Sequence, residues 1–366
     1  MRKEQLSTFF SKAAGILRDV VYPWIVSIIS SAFRFMVEVI YPGVLSFLSN
    51  LFRLLVKFLD TTGRYSRICF DVTSAWAKKN WPPVRDRLRL YVQLTRLNKP
   101  VGAFLLLWPT LWALWIASNG LPGLHLFLVF TLGVFLTRSA GCVFNDMADK
   151  DLDSYVRRTY MRPLAAGAIT QTEALLVACV LLLIAFLLVL TTNHLTVILS
   201  FVAVPLAIVY PFMKRYTYVP QFFLGLAFSW GIPMAFAAVT NTIPTIAWLL
   251  FIANILWAVI YDTMYAMVDR EDDLKIGIKS TAILFDDADR IIIGVMQTMF
   301  LVVLITIGIQ IKAEMIYYYS LIAATGFMLF HQYLIKDRTP EQCFRAFLNN
   351  NWLGMAIFIG IYINYI

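Results

Sequence analysis

The sequence predicts an all-α, polytopic membrane protein, and three observations predict it. Of its 366 residues, 60% are hydrophobic and only 14% charged. The mean hydropathy is +0.72, far from that of a soluble domain. Apolar runs long enough to cross a hydrocarbon core of about 30 Å recur along the chain. The cations between those runs fall on alternate loops, as they do where Lys and Arg are retained on one side of a bilayer.

Nine transmembrane helices are expected, near residues 100–118, 123–144, 173–192, 194–212, 219–240, 244–266, 290–310, 315–335 and 344–364. The third and fourth are separated by little more than "TTNH", so a merged re-entrant pair is the alternative there. The loops after spans two, four, six and eight carry Lys150, Arg157, Arg158 and Arg162, then Lys214 and Arg215, then Arg270, Lys275, Lys279 and Arg290, then Lys336, Arg338 and Arg345. The opposite loops hold only Lys312. This asymmetry predicts a cytoplasmic N-terminus and an external C-terminus; in a mitochondrion the same loops would face the matrix.

Residues 1–90 form a separate, basic extension ahead of a helical domain at 91–366. The extension holds 14 Lys and Arg against 6 Asp and Glu, so nearly all of the net charge of +9 belongs to it. Its apolar runs "VVYPWIVSIISSAF" and "VIYPGVLSFLSNLF" are too short to span comfortably. Ser46, Ser49, Asn50, Arg53, Lys57 and Asp60 recur at steps of three and four, a polar stripe on an apolar helix. Amphipathic interfacial helices on anionic lipid are expected, with a docking helix for a partner enzyme as the alternative. The region has neither a signal-peptide layout nor an acid-poor transit pattern.

Chemistry gathers in two acidic stretches. In "NDMADKDLD", Asp146, Asp149 and Asp153 fall within about 60° of one another on a helix, with Asn145 one turn before Asp149. Asp151 lies far around the helix and is expected to face solvent. In "YDTMYAMVDREDD", Asp262, Asp269 and Asp273 return to within about 40° of one another. Carboxylates so close repel unless water or a highly charged cation separates them. A single such loop is most often only a solvated face, but two acidic helix ends on one side of the membrane can share a cation, and Mg²⁺ is the usual choice where phosphate completes its shell. The stretch "YPFMKR" offers Tyr210, Lys214 and Arg215 between them, and Arg138, Arg157, Arg158 and Arg162 flank the first cluster. Acid, metal and base on one face suggest a bound diphosphate. Arg138 sits in the apolar "FLTRSAGCVF", where an inward-facing cation with a partner competes with simple snorkelling. The aromatics of "LLLWPTLWALW" are expected mainly in an interfacial belt and in packing. Cys69, Cys142, Cys179 and Cys343 lack metal-binding spacing and read as apolar filler.

"NDMADKDLD" with "RRTYMRPLAAG", then "YPFMKR", then "YDTMYAMVDREDDLKIGIKSTA" resemble the UbiA-type intramembrane aromatic prenyltransferases, over roughly residues 90–366. "LTRLNKPVGAFLLLWPTLWALW", "GIKSTAILF" and "FRAFLNNNWLG" are similar to the branch that acts on 4-hydroxybenzoate in bacterial ubiquinone synthesis. The family pattern NDxxDxxxD is met by Asn145, Asp146, Asp149 and Asp153, and the second pattern, DxxxD, by Asp269 and Asp273. The resemblance implies a UbiA-like bundle with cytoplasmic cap loops in the bacterial inner membrane. It implies polyprenyl diphosphate and 4-hydroxybenzoate as substrates and Mg²⁺ as cofactor, held by Asn145, Asp149, Asp269 and Asp273 with Asp146 and Asp153 supporting. Tyr210, Lys214, Arg215 and Arg158 are then expected on the diphosphate. Asp149, Asp269, Lys214 and Arg215 are expected to carry the catalysis. Arg138 is the first choice for the benzoate carboxylate, with Arg96 and Lys99 second. The extension lies outside the family core and leaves other quinone-pathway enzymes open as partners. The acidic motifs are shared with relatives that act on haem, naphthoate or chlorophyll-type acceptors. An ion-coupled transporter is the rival from another class, although it should carry its charges near the bilayer midplane.

Overall fold

The computed structural model describes residues 85–153 and 159–366. The basic extension up to residue 84, together with Arg157 and Arg158, lies outside the described residues, as does the side chain of Asp151. The chain divides into units at residues 1–89 and 90–366, and the second is a bundle of helices with no strand among the described residues.

From residue 101 on, eleven α-helices are found among the described residues: α1 Val101–Ser118, α2 Leu124–Asp153, α3 Gln171–Val189, α4 His194–Tyr216, α5 Pro220–Ser229, α6 Gly231–Thr240, α7 Thr245–Ile276, α8 Thr281–Phe285, α9 Asp289–Gln310, α10 Met315–Leu334 and α11 Pro340–Asn364. Eight segments among the described residues are long and apolar enough to cross a membrane, α5 with α6 counting as one and α8 with α9 as another. The eighth expected span, 315–335, is present as the 20-residue α10, but four tyrosines, His331 and Gln332 dilute its apolar character, and it is not among these segments.

Three local features sharpen the expected boundaries. The third and fourth spans are separate helices: Asn193 caps α4 by accepting the Thr196 N–H at 3.0 Å, and its amide donates to the Ala237 carbonyl at 2.6 Å. The fifth span is broken at Trp230, because Pro233 has no N–H to offer the carbonyl four residues back. The helices of spans two and six outrun the hydrocarbon core. At 30 and 32 residues they are about 45 and 48 Å long at 1.5 Å per residue. The surplus turns carry the acidic motifs. α7 ends where Gly277 turns left-handed (φ 73°) and its N–H meets the Asp273 carbonyl.

The core forms around α1, α7 and α11. Trp112 and Trp257 are fully buried and stacked, with ring centroids 5.2 Å apart. Each indole N–H is satisfied on α11, Trp112 by the Gly354 carbonyl at 3.1 Å and Trp257 by Asn350 Oδ1 at 2.9 Å. Asn351 accepts from Trp108 at 2.9 Å, and Asn349 bonds the buried His331 at 2.9 Å. The three consecutive asparagines thus tie α11 to α7, α1 and α10. A Cβ on Gly354 would lie 2.5 Å from Trp257 and 2.7 Å from Trp108, so α11 can approach this closely only with glycine there. Trp112 and Trp115 of "LLLWPTLWALW" are buried, and packing accounts for them. Cys142, Cys179 and Cys343 are free thiols; Cys69 lies outside the described residues.

A polar clamp holds the end of α7. Asp289 at the start of α9 is fully buried, pairs with Arg270 of α7 and accepts from Arg338 at 2.9 and 3.1 Å and from the Arg290 N–H at 2.6 Å. One carboxylate thus joins α7, α9 and the turn before α11. Asp289→Ala would leave two guanidinium groups without it. Loss of one partner from a buried pair costs about 3 to 5 kcal/mol, and the partial exposure of Arg338 moves the expectation to the lower end. The purified variant should melt at a clearly lower temperature in detergent; an unchanged melting curve would contradict the clamp.

Candidate active site

The surplus ends of α2 and α7 converge on one cavity of about 1420 Å³. On α4, Thr196, Ser200, Ala203, Ala207, Tyr210 and Lys214 line it, a stripe at steps of three and four along one helix face. From Thr196 to Lys214 that stripe runs about 27 Å at helical rise. The upper end of the cavity is acidic and basic, and the wall below is apolar, including Leu105, Phe130, Phe186, Leu224 and Met234.

Asp146, Asp149 and Asp153 are all buried, and each meets a cation. Asp146 pairs with Arg96 and, at 3.2 Å, with Arg162. Arg162 also reaches Asp153 at 2.6 Å, and Lys214 meets Asp149 Oδ2 at 2.6 Å. Asn145 donates to the same Asp149 oxygen at 3.3 Å. Mutual repulsion along the acidic face is thereby offset by three cations from three segments. Burial disfavours the Arg96 cation, but Asp146 and the weaker influence of Cys142, Tyr265 and Asp153 together outweigh it, so Arg96 holds its proton more tightly than in water. Its backbone is left-handed, with φ 55°, a conformation that non-glycine residues adopt at a cost.

Asp269 and Asp273 on α7 line the same cavity, as do Tyr210, Lys99 and Arg138. Arg138 lies against Phe228, 5.5 Å from the ring centroid, and donates to Cys142 Sγ at 3.0 Å. Its Nε is buried without a hydrogen-bond partner. Arg215 does not line the cavity: it donates to the Ala148 carbonyl and lies 5.9 Å from the Phe212 ring. Adjacent residues diverge by about 100° on a helix, so Lys214 and Arg215 cannot both point inward. Arg158 lies outside the described residues. The structure adds Arg162, Asp262, Tyr265 and Lys279 to the cavity wall. Lys279 is tied to α4, its N–H donating to the Lys214 carbonyl at 2.9 Å and its ammonium to Tyr216 O at 3.3 Å.

The donor set suits a hard divalent cation. Asp149 Oδ1 is buried and has no hydrogen-bond partner, and the other oxygen donors stand on two walls of the same cavity. Among the described residues no three acidic, His or Cys groups form a closed metal cage.

The chain is similar to known proteins in sequence and in fold. The chain is 58% identical over 278 residues to the 4-hydroxybenzoate octaprenyltransferase of Alkalilimnicola ehrlichii, covering 76% of this chain and 95% of that protein. In fold it is similar to a UbiA homolog from Aeropyrum pernix K1, with a TM-score of 0.64 at 22% identity over 72% of this chain and 98% of the other. It is also similar to a UbiA homolog from Archaeoglobus fulgidus bound to GPP and Mg²⁺, with a TM-score of 0.58 at 18% identity over 75% and 99%. The UbiA prenyltransferase family pattern matches residues 106–357, the span that contains both acidic helix ends and the apolar wall between them, and the chain belongs to that family.

Proposed function

We propose that the protein transfers a polyprenyl group from polyprenyl diphosphate to the ring carbon ortho to the hydroxyl of 4-hydroxybenzoate, in ubiquinone biosynthesis. The observation that carries this reading is a single cavity with paired acids and bases at one end and a long apolar wall below. It has room for a charged head and a hydrocarbon tail at once. The likeness to 4-hydroxybenzoate octaprenyltransferases supports the choice of acceptor.

The diphosphate head lies among Tyr210, Lys214 and the acidic helix ends, with Arg158 as a further contributor of charge; Arg215, bonded to the Ala148 carbonyl outside the cavity, adds only a more distant charge. Asn145, Asp149, Asp269 and Asp273 would hold the divalent ion, and Asp146 and Asp153, anchored by Arg96 and Arg162, support that set. Mg²⁺, when bound, supplies Lewis-acid stabilisation of the diphosphate as the allylic C–O bond breaks and the leaving group takes the electron pair. Lys214 shares that charge. The allylic carbon then bonds to the nucleophilic ring carbon, which releases its proton. Lys279, tied to the end of α4, helps close the loop over the head and keep out water that would capture the cation. Arg138 takes the benzoate carboxylate.

The protein lies in the bacterial inner membrane with its acidic motifs cytoplasmic, a reading supported by the loop cations. Purified protein supplied with Mg²⁺, labelled polyprenyl diphosphate and a panel of aromatic acceptors should prenylate 4-hydroxybenzoate in preference to naphthoate-type acceptors; the reverse preference would sink the assignment.

The extension is a membrane-surface or partner-docking segment ahead of the catalytic domain at 91–366. Every metal- and diphosphate-facing group proposed here follows residue 137. Deletion of residues 1–85 should therefore leave turnover in detergent within about a few-fold of the full chain, while co-sedimentation with anionic vesicles falls. A folded truncation without activity would place part of the extension in the site.

A further inference from the structure

We infer that Gly102 is a positioning residue for the acceptor: by having no side chain, it leaves the space in which the Arg138 guanidinium lies and so fixes where an aromatic carboxylate is received. This rests on the reading of Arg138 as the carboxylate-binding cation.

A Cβ on Gly102 would stand 2.7 Å from Arg138 Nη2, 3.0 Å from Nε and 3.2 Å from Cζ. All three atoms belong to the guanidinium, and the three nearest include no backbone atom. An added methyl group would therefore not push α1 away from α2; it would push the mobile end of one side chain. A void of about 30 Å³, with Gly102, Phe135, Arg138, Ser139 and Cys142 in its lining, adjoins that side chain.

The cost therefore falls on recognition and not on folding. Arg138 makes no carboxylate ion pair among the described residues. Its only hydrogen bond there is to a thiol, a weak acceptor, and its Nε has none. Asp262, within electrostatic reach on the cavity wall, is the neighbouring carboxyl group of the protein, and no hydrogen bond joins the two. With Nη1 donating to Cys142 and Nε buried, Nη2 is the guanidinium nitrogen left to donate to a carboxylate. Such a donor serves only when placed to within about 0.5 Å. Alanine is also the better helix former at a helical position, which removes the usual reason for a glycine substitution to destabilise.

The test uses the full-length protein carrying Gly102→Ala, Arg138→Ala or both, with Gly326→Ala as control, since a Cβ there meets nothing within 4 Å. Saturation curves are recorded for 4-hydroxybenzoate and for the diphosphate, along with calorimetric binding of 4-hydroxybenzoate and the melting temperature. Gly102→Ala should weaken 4-hydroxybenzoate binding and raise its KM by about ten- to a hundredfold, leaving the donor KM and the melting temperature within error of the parent. Gly326→Ala should change neither KM. Adding Gly102→Ala to Arg138→Ala should change the acceptor KM less than twofold. An unchanged acceptor KM in Gly102→Ala overturns the inference. So does an equal rise in the Arg138→Ala background, because the methyl would then meet the acceptor itself. Failure of Gly102→Ala to fold also overturns it, because the clash would then lie in helix packing. If Arg138→Ala alone leaves acceptor binding intact, the carboxylate assignment has failed first, and the inference about Gly102 falls with it.

Discussion

Asp149→Asn and Asp269→Asn are each expected to lower turnover by about a hundredfold or more, the usual effect of removing a principal electrostatic stabiliser. Asparagine keeps the shape of aspartate and removes its charge. At Asp149 the carboxylate is buried, one oxygen is held by Lys214 at 2.6 Å and the other has no partner. The substitution therefore removes a metal-facing charge and also releases Lys214. Asp269 lines the same cavity from α7, so its loss should act on the same step. Asp153→Asn should cost less, because Asp153 is bound at 2.6 Å to Arg162 and acts at one remove. The measurement is turnover at saturating donor and acceptor across a Mg²⁺ titration, with melting temperatures to separate chemistry from folding. Turnover in excess EDTA equal to that in Mg²⁺ would contradict the metal's part in the reaction. Equal activity of Asp149→Asn and parent would remove Asp149 from the site.

Much of this site was legible before any coordinates, because helical period is a local property. Asn145, Asp146, Asp149 and Asp153 share a face by their spacing alone, and Arg138, seven residues before Asn145, returns to nearly the same angle. Each of the five lines the cavity. The partners of those acids were not legible. Arg96 is 50 residues from Asp146 and Arg162 is 16, and no periodicity links positions on different segments. Arg270 read as part of a solvated acidic loop, yet it points to the buried Asp289, a contact made only when α7 and α9 pack. Hydropathy placed the ends of spans two and six where apolar residues stop, near 144 and 266. The backbone continues to Asp153 and Ile276, since hydrogen-bonded helix does not need lipid around it. The divergence of Lys214 and Arg215 could have been read from adjacency alone.

The ion pairs also bear on how the cavity binds its ligand. Lys214 is drawn to Asp149, while its backbone carbonyl accepts the Lys279 N–H and Arg215 reaches the Ala148 carbonyl. The end of α4 thus touches both acid-bearing elements, the last turns of α2 and the loop after α7. Charge arriving as a diphosphate would be felt by both through one short helical end, which gives α4 a part in closing the site as well as in binding.

Replacing Arg138 and replacing Lys214 should have opposite kinetic signatures. Arg138 stands on α2 beside Phe228 and Cys142, below the acidic turns, and its proposed ligand is the acceptor carboxylate. A buried ion pair that loses one partner costs about 3 to 5 kcal/mol, and the half-exposure of Arg138 in the open cavity reduces this to about 2 to 3. At 1.4 kcal/mol per tenfold, Arg138→Ala should raise the KM for 4-hydroxybenzoate by roughly 30- to 100-fold, with the donor KM little changed. Lys214→Ala should act on the other substrate. Its ammonium meets Asp149 at the head of the cavity, so the variant should raise the donor KM. It should also lower turnover, because charge develops on the departing diphosphate in the transition state. Two saturation curves per variant, one for each substrate, decide the matter. Loss of donor affinity with intact acceptor affinity in Arg138→Ala would assign Arg138 to the diphosphate. The carboxylate would then fall to Lys99, which lines the same cavity, since Arg96 is already directed at Asp146.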